Sequence, residues 1–317
     1  MHLDPPLKRI LDAMADGRPP EPADLAQRRA QTEAAFSAIR PPREEGVQVE
    51  DRKVEVEGGQ ILVRTYIPEG VERPAPVLFY LHGGGWYMGN LDSAEAECVI
   101  RAGEIPAVMV SVDYRLAPEH KFPTPFDDCM AAYTWMLDHG DELGIDAARI
   151  AIAGGSAGAN LAAALCVALR DRGVQMPCLQ LLDVPFLDFT MASPSLRGPE
   201  SGYGLTAAEV HECAELYVRT DEDRRDPRVS PLLVEDLRGL PPAVILTAEF
   251  DPVRDDGERY VERLHQAGVS AACMRVLSHI HGTWVIPGSV TWGLVRDVRL
   301  AALRRAFDGT LAPQPAF

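Results

Sequence analysis

The chain has 317 residues, of which 46% are hydrophobic and 25% are charged. This composition is typical of a folded protein with one large core, and a single α/β domain with an added lid fits it. The formal net charge of -16 argues against a nucleic-acid partner, because such proteins need clustered Lys and Arg to displace counterions. Residues 1–20 contain no apolar run long enough for a signal peptide or a membrane span, so we expect a cytoplasmic protein.

Helical patterns and a hairpin open the chain. Residues 5–40 carry two helical stretches, and the second ends before a Pro-Pro pair, which predicts an N-terminal helical arm. Apolar and polar residues then alternate on both sides of Gly58-Gly59. Alternation across a glycine turn predicts an antiparallel hairpin, and the central sheet begins there.

Short continuous apolar runs follow the hairpin, and helical segments separate them. Such runs are typical of strands buried on both faces, and their alternation with helices predicts a mostly parallel sheet covered on both sides. With the hairpin, eight strands are predicted, and a last helix is expected at about 291–307. The six runs are 76–82, 107–114, 149–155, 178–184, 243–250 and 270–277.

Residues 186–230 interrupt this alternation. The segment begins with a stretch rich in Pro, Ser and Gly and continues with a helical pattern at 206–219. No buried strand pattern occurs in it, so we interpret it as a lid inserted into the core.

The six cysteines are spread along the chain without C-x-x-C pairs. A disulfide framework belongs to small secreted proteins and a zinc site needs closely spaced ligands, so we expect reduced cysteines in the core. They are Cys98, Cys129, Cys166, Cys178, Cys213 and Cys273.

A G-x-S-x-G pattern at residues 154–158 lies between a predicted strand and a predicted helix. Side chains at Gly154 and Gly158 would clash in such a sharp turn, and the turn exposes the hydroxyl of Ser156 above the sheet. The helix start also directs backbone N–H groups to the place where negative charge develops. The pattern predicts Ser156 as a nucleophile; a purely structural Gly-Ser-Gly turn is the alternative.

Three consecutive glycines follow His82 at the end of a predicted strand. Glycines lose more backbone entropy on folding than other residues, so a run of three is expected where the backbone must approach another group closely. In acyl transfer this group is the oxyanion, so we assign the N–H groups of Gly83, Gly84 and Ala157 to an oxyanion hole. His82 is expected to fix the loop rather than to act as a base, since it does not follow an acid in the chain.

An acid and a histidine follow Ser156 in the chain. Asp251 ends the strand at 243–250, and His281 lies in the loop after the strand at 270–277. Both are therefore expected at the carboxyl ends of parallel strands, where an open sheet forms its ligand crevice.

Other acids and another histidine compete for these roles. Asp255 and Asp256 fall in the helix after Asp251, where a solvated or capping carboxylate is the ordinary explanation, and Asp188 opens the lid segment. His279 precedes His281 by two residues, so only one of them can face the serine from an extended loop. We favour Asp251 and His281.

Together these residues resemble the hormone-sensitive-lipase-like bacterial esterases, also called family IV or HGGG esterases, of the α/β-hydrolase superfamily. The resemblance covers about residues 50–310 and rests on LHGGGWYMG, DYRLAPEHKFP, AGGSAGANLA, DPRVSPL and TAEFDPVRDDGERYVERLHQAG before HGTW. It implies the α/β-hydrolase fold and a serine carboxylesterase whose partner is a small-molecule ester with short to medium acyl chains. It also implies the triad of Ser156, Asp251 and His281. Hydrolysis through an acyl-enzyme on these residues requires no metal or organic cofactor.

The resemblance further implies a cap built from residues 1–45 and 186–230, which leaves 46–185 and 231–317 as the catalytic core. Relatives also form homodimers through the last strand and its helix, here about 252–277, and the sequence allows that assembly. Side chains expected in the acyl pocket, for which ordinary packing between cap and core is the alternative, are Trp86, Tyr87, Phe186, Phe189, Tyr203 and Leu205.

Two positions depart from the family pattern. The family usually has GDSAGG, where this chain has Gly155 before Ser156, and usually has His-Gly-Phe, where this chain has Thr283 after Gly282. The first departure changes the polar network behind the nucleophile, and the second is expected to reshape the alcohol side of the pocket.

The sequence leaves two other functions open. Relatives that cleave amides, carbamates or lactones, or that transfer the acyl group, share the same acyl-enzyme. Plant hormone receptors resemble this family but have lost the catalytic histidine, so the presence of His281 argues for an enzyme.

Overall fold

A mixed sheet lies at the centre of the computed structural model, which describes residues 2–16, 24–39, 46–198, 204–283 and 290–311. Its strands are β1 (Val47–Val56), β2 (Gly59–Pro68), β3 (Ala75–Leu81), β4 (Val108–Asp113), β5 (Ile145–Gly155), β6 (Leu179–Asp183), β7 (Ala243–Phe250) and β8 (Ala271–Ile280). Within the described ranges these eight strands form one sheet in the order β1-β2-β4-β3-β5-β6-β7-β8. Only the pairs β1–β2 and β2–β4 of this sheet are antiparallel, so the predicted hairpin and mostly parallel sheet are confirmed.

Helices precede the sheet and alternate with its strands. They are α1 (Pro5–Asp16), α2 (Leu25–Ile39), α3 (Leu91–Glu104), α4 (Thr124–Asp138), α5 (Gly140–Leu143), α6 (Ala157–Arg172), α7 (Ala207–Tyr217), α8 (Arg254–Gln266) and α9 (Val290–Phe307). Short 3₁₀ turns lie at Pro194–Arg197, Glu222–Arg225 and Pro231–Leu233. No helix in the described part of the chain combines the length and the apolar character of a membrane span.

The central strands are hydrophobic along their length because helices cover both of their faces. All residues of β3 are buried, and successive side chains of a strand point to opposite faces. Phe79 packs with α4 and α6, whereas Leu78 packs with α3 and α9. This layering explains why β3, β5 and β6 were recognisable as continuous apolar runs.

The cysteines agree with the sequence expectation except at the sheet edge. All six lie within the described ranges and are free, and Cys98, Cys129, Cys166 and Cys213 are buried. Cys178 is half-buried, whereas Cys273 is exposed. The predicted core position is wrong for Cys273, because β8 is the outermost strand of the sheet that the described residues form.

Gly158 of α6 packs closely against the backbone at the end of β3. A Cβ at this position would lie 2.0 Å from the carbonyl oxygen of Leu81 and 2.5 Å from that of His82. Both atoms belong to the backbone and cannot rotate away. We therefore expect Gly158→Ala to lower the free energy of unfolding by about 1–3 kcal/mol, as overpacking does, in a urea titration.

Gly155→Ala is the matched control for this prediction. Among the described residues, a Cβ at Gly155 would have no atom within 4 Å. The free energy of unfolding of this variant should change by less than about 0.5 kcal/mol, or rise because alanine restricts the unfolded chain. Equal losses in the two variants would contradict a steric cause.

Candidate active site

Ser156 occupies a strained turn between β5 and α6. Its φ is 53° and its ψ is -116°, a conformation that residues with side chains rarely adopt unless the surroundings enforce it. The Ser156 N–H donates to the Asp183 carbonyl at 2.8 Å. A Cβ at Gly154 would lie 2.4 Å from the Gly158 carbonyl oxygen, which confirms the predicted need for small residues on both sides.

His281 and Asp251 are hydrogen-bonded to each other. His281 Nδ1 lies 2.8 Å from Asp251 Oδ2, and Asp251 Oδ1 accepts the backbone N–H of Val253 at 3.0 Å. The Asp251 side chain is 0% exposed and that of His281 is 16% exposed, so the imidazole forms the accessible end of the pair. When Nδ1 donates to the carboxylate, Nε2 of the neutral ring is left as a proton acceptor.

An irregularity in β8 brings His281 beside Asp251. The parallel register of β7 and β8 is regular up to residues 248 and 276, and the last pair is Phe250 with Ile280. Between these pairs β7 advances by two residues, from 248 to 250, and β8 by four, from 276 to 280. Asp251 and His281 directly follow the paired residues Phe250 and Ile280, so they lie beside each other at the carboxyl ends of β7 and β8.

This bulge decides which histidine meets the acid. In the regular register Asp251 would lie opposite His279, but the two extra residues give that place to His281. Within the bulge Ser278 has a φ of 62°, and its N–H donates to Glu249 Oε2 at 2.7 Å. His279 is buried instead, and burial lowers its pKa.

The acids that compete with Asp251 in the sequence are engaged elsewhere. Asp255 accepts the backbone N–H of Ser195 at 2.8 Å. Asp256 is 1% exposed and accepts the backbone N–H groups of Leu187 and Asp188 at 2.8 and 3.0 Å. Burial raises the pKa of Asp256 to about 7. The solvated or capping role expected for Asp256 is wrong, because α8 presses this side chain against the segment after β6.

Ser156 and His281 line one cavity of about 340 Å³. Four of the predicted pocket residues line it as well, namely Trp86, Tyr87, Phe186 and Leu205. Phe189 lies behind this wall and stacks on Phe186 with 4.4 Å between ring centroids. Tyr203 lies outside the described residues.

Two helices contribute side chains to the cavity that were not among the predicted pocket residues. From α2 they are Arg28, Gln31 and Thr32, and from α7 they are Glu209, Val210 and Cys213. The apolar positions 210, 213 and 217 of α7 follow a helical spacing, which indicates a buried face but not what it faces. Burial raises the pKa of the Cys213 thiol to about 12, so this cysteine stays uncharged near neutral pH.

The glycine loop after β3 approaches the serine closely. A Cβ at Gly83 would lie 2.8 Å from the Gly155 carbonyl oxygen and 3.6 Å from Ser156 Cβ. Gly84 has a φ of 117° and lines the same cavity as Ser156. Ala157 is the first residue of α6, where backbone N–H groups lack partners within the helix. The predicted oxyanion donors thus belong to residues around the serine.

His82 supports the glycine loop from inside the fold. Its Nδ1 lies 2.8 Å from the Gly83 carbonyl, and its ring stacks on Tyr114 with 4.2 Å between centroids. Burial lowers the pKa of His82 to about 4, which keeps the imidazole neutral near neutral pH. These contacts agree with the structural role predicted for His82.

Thr283 closes the turn that follows His281. Its Oγ1 donates to the Ile280 carbonyl at 3.0 Å and lies 3.1 Å from His279 Nδ1. The position at which the family pattern has an aromatic residue therefore carries a side chain that bonds to its own turn. Its predicted effect on the alcohol side of the pocket stays a prediction.

Comparisons with known proteins agree on one family. Residues 78–285 match the family model described as alpha/beta hydrolase fold. The carboxylesterase NlhH of Mycobacterium tuberculosis is 37% identical, and the match covers 96% of each chain. An arylesterase of Saccharolobus solfataricus is 38% identical over 76% of this chain and 78% of that protein.

A solved structure gives the same answer for the fold. A bacterial heroin esterase superposes with a TM-score of 0.90 at 32% identity, and the match covers 96% of this chain and 98% of that one. With the sheet order, the turn at Ser156 and the curated relatives, this likeness shows that the chain belongs to the hormone-sensitive-lipase-like family of α/β-hydrolases and is a carboxylic ester hydrolase.

Proposed function

We propose that the chain hydrolyses short- to medium-chain acyl esters with Ser156 as nucleophile, His281 as general base and Asp251 as the acid that orients the base. One observation carries the proposal. Ser156 and His281 line the same cavity, and His281 is bonded to the buried Asp251 at 2.8 Å. A buried acid, a half-buried histidine and a half-buried serine at the carboxyl ends of the strands are the parts that acyl transfer requires.

Proton transfer runs between the serine and the histidine. His281 takes the proton of Ser156 as Oγ attacks the ester carbonyl, and the Asp251 carboxylate stabilises the imidazolium. The imidazolium then gives this proton to the departing alcohol, and the acyl group stays on Oγ. A water molecule, activated by the same histidine, attacks the acyl-enzyme and releases the acid.

Backbone donors stabilise the tetrahedral intermediates. In the proposal the oxyanion rests on the N–H groups of Gly83, Gly84 and Ala157. Removal of one such donor costs about 10²–10³ in rate in enzymes where it has been measured. The close approach of Gly83 to the serine turn supports this placement, because any larger residue would push the loop away.

The cavity wall supports a preference for short acyl chains. A cavity of about 340 Å³ lies at the lower end of ordinary ligand pockets, which span about 300–1,000 Å³. Trp86 is 1% exposed, and its ring lies 4.7 Å from that of Tyr217 and 5.0 Å from that of Phe189. Rings packed in this way leave Trp86 no room to move aside for a long chain.

The proposal assigns the whole reaction to side chains and backbone of this chain, so it names no metal or organic cofactor. The cytoplasmic location and the absence of a nucleic-acid partner stay predictions from the sequence.

A p-nitrophenyl ester series from acetate to laurate tests the proposal. We expect kcat/KM to be highest for the short esters and to fall for the long ones, because the wall limits the acyl group. Ser156→Ala should lower kcat for acetate by about 10⁴-fold or more, since it removes the nucleophile.

Ser270→Ala is the control, because Ser270 is exposed and lies between α8 and β8, away from the cavity. Its kcat should equal that of the unaltered protein. A maximum at laurate would contradict the pocket argument, and a retained rate in Ser156→Ala would contradict the nucleophile.

A homodimer through the edge of the sheet is a further part of the proposal. β8 is the last strand of the sheet, and α8 precedes it in the chain. Leu277 is 64% exposed on this strand, and Leu294 is 55% exposed on α9. A large apolar side chain exposed on the outermost described strand of a sheet is typical of a surface that another chain covers.

Sedimentation velocity tests the dimer. The unaltered protein should sediment as a dimer, and Leu277→Lys should shift it toward the monomer, because a charge would be buried in the interface. Gln60→Lys adds the same charge in the β1–β2 hairpin, at the other side of the sheet, and should leave the dimer intact. A monomer in the unaltered protein would exclude this assembly.

A further inference from the structure

The end of β6 fixes the nucleophile turn from the side. In the parallel pair of β5 and β6, Gly155 and Asp183 lie directly opposite each other. The next residue, Ser156, donates its N–H to the Asp183 carbonyl at 2.8 Å. On the other side of β6, the N–H of Val184 donates to the Leu246 carbonyl of β7 at 2.8 Å. The backbone of Asp183 thus connects the serine to the centre of the sheet.

The carboxylate of the same residue is buried in an ion pair. Asp183 is 7% exposed and Arg299, on α9, is 9% exposed. Arg299 donates to both carboxylate oxygens of Asp183, from Nη2 and from Nε. Its Nη1 donates to Glu97 Oε1 of α3 at 3.2 Å. One guanidinium therefore holds α3, α9 and the end of β6 together by directional, charge-assisted bonds.

Gly155 leaves space beside this ion pair. Paired residues of parallel strands point to the same face, so a side chain at position 155 would project next to that of Asp183. In the part of the chain that the structure describes, no atom lies within 4 Å of a Cβ placed at Gly155. The family pattern GDSAGG has its acid at this position, and here a carboxylate lies one strand away.

We propose that Asp183, held by Arg299, is the positioning residue for Ser156. Its carboxylate, on β6, replaces the carboxylate that the family pattern has at position 155 on β5. The proposal rests on Ser156 being the nucleophile. The ion pair fixes Asp183, and Asp183 supplies the acceptor that holds the strained backbone of Ser156. Loss of the pair displaces the serine hydroxyl but leaves the cavity walls in place.

Asp183→Asn and Arg299→Gln remove the ion pair and keep the backbone acceptor. We expect each to lower kcat for p-nitrophenyl acetate by about 10- to 100-fold, because a misplacement of about 1 Å costs on the order of 10² in rate. KM should stay within about twofold, since no cavity wall is changed. Burst titration of the reacting serines gives kcat per folded site.

Asp128→Asn is the matched control. It breaks another pair of a buried aspartate and an arginine, with Arg115, and neither residue lines the cavity of Ser156. It should lower the melting temperature as Asp183→Asn does but leave kcat within about twofold. An unchanged kcat in Asp183→Asn, with a similar loss of melting temperature, would overturn the positioning role.

A double variant tests whether a carboxylate at position 155 can replace the carboxylate of Asp183. Gly155→Asp added to Asp183→Asn returns a carboxylate to the neighbouring strand, and most of the lost kcat should return. Gly155→Asp alone should not raise kcat, because two adjacent carboxylates repel each other. A double variant with the same kcat as Asp183→Asn would contradict the proposal that one carboxylate replaces the other.

If Asp183→Asn and Arg299→Gln do not fold, Arg299→Lys is a milder change at the same ion pair. It keeps the charge but loses the fork that bonds both oxygens of Asp183, and an unchanged kcat in it would also count against the proposal. Ser156→Ala, measured beside these variants, separates the two proposals. Full turnover in Ser156→Ala would reject the nucleophile, whatever Asp183 does.

Discussion

The parallel hydrogen-bond ladder from β5 to β8 sets the positions of the three proposed catalytic side chains. Ser156 follows β5, Asp251 follows β7 and His281 follows β8. Neighbouring strands lie about 4.8 Å apart, so the ladder gathers residues that are far apart in the sequence at one edge of the sheet. A slip of one residue would turn every buried side chain of a strand to the wrong face, which makes the register expensive to change.

The same ladder holds the serine in a conformation that it would not adopt alone. A φ of 53° at Ser156 is strained, and the compensation comes from its bond to Asp183 and from the close packing of Gly158 on the end of β3. Strain of this kind persists where the surroundings are rigid. The rigid sheet therefore gives the hydroxyl a fixed position beside the cavity, and catalysis of acyl transfer requires such a position.

Much of this arrangement could be predicted from local sequence patterns. Burial on both faces makes β3, β5 and β6 continuous apolar runs, and the sharp turn at Ser156 restricts Gly154 and Gly158 to residues without a bulky side chain. Both signals lie within a few residues of the feature that they predict. The family assignment rests on them together with the relatives.

Features that arise from tertiary packing could not be predicted in this way. The two extra residues of β8 have no sequence signature, although they decide whether His279 or His281 meets Asp251. The burial of Asp256 depends on how α8 docks against the segment after β6. The cavity residues of α2 and α7 depend in the same way on the placement of two helices outside the sheet.

The activities of variants at His279 and His281 show which histidine serves Ser156. His281→Asn should lower kcat/KM for p-nitrophenyl acetate by about 10⁴-fold, because it removes the proposed general base, whereas His279→Asn should stay within about tenfold of the unaltered protein. The melting temperatures of both variants must show that they are folded at 25 °C, where their activities are compared. The account is contradicted if His279→Asn is the more damaging change, or if His281→Asn retains its activity.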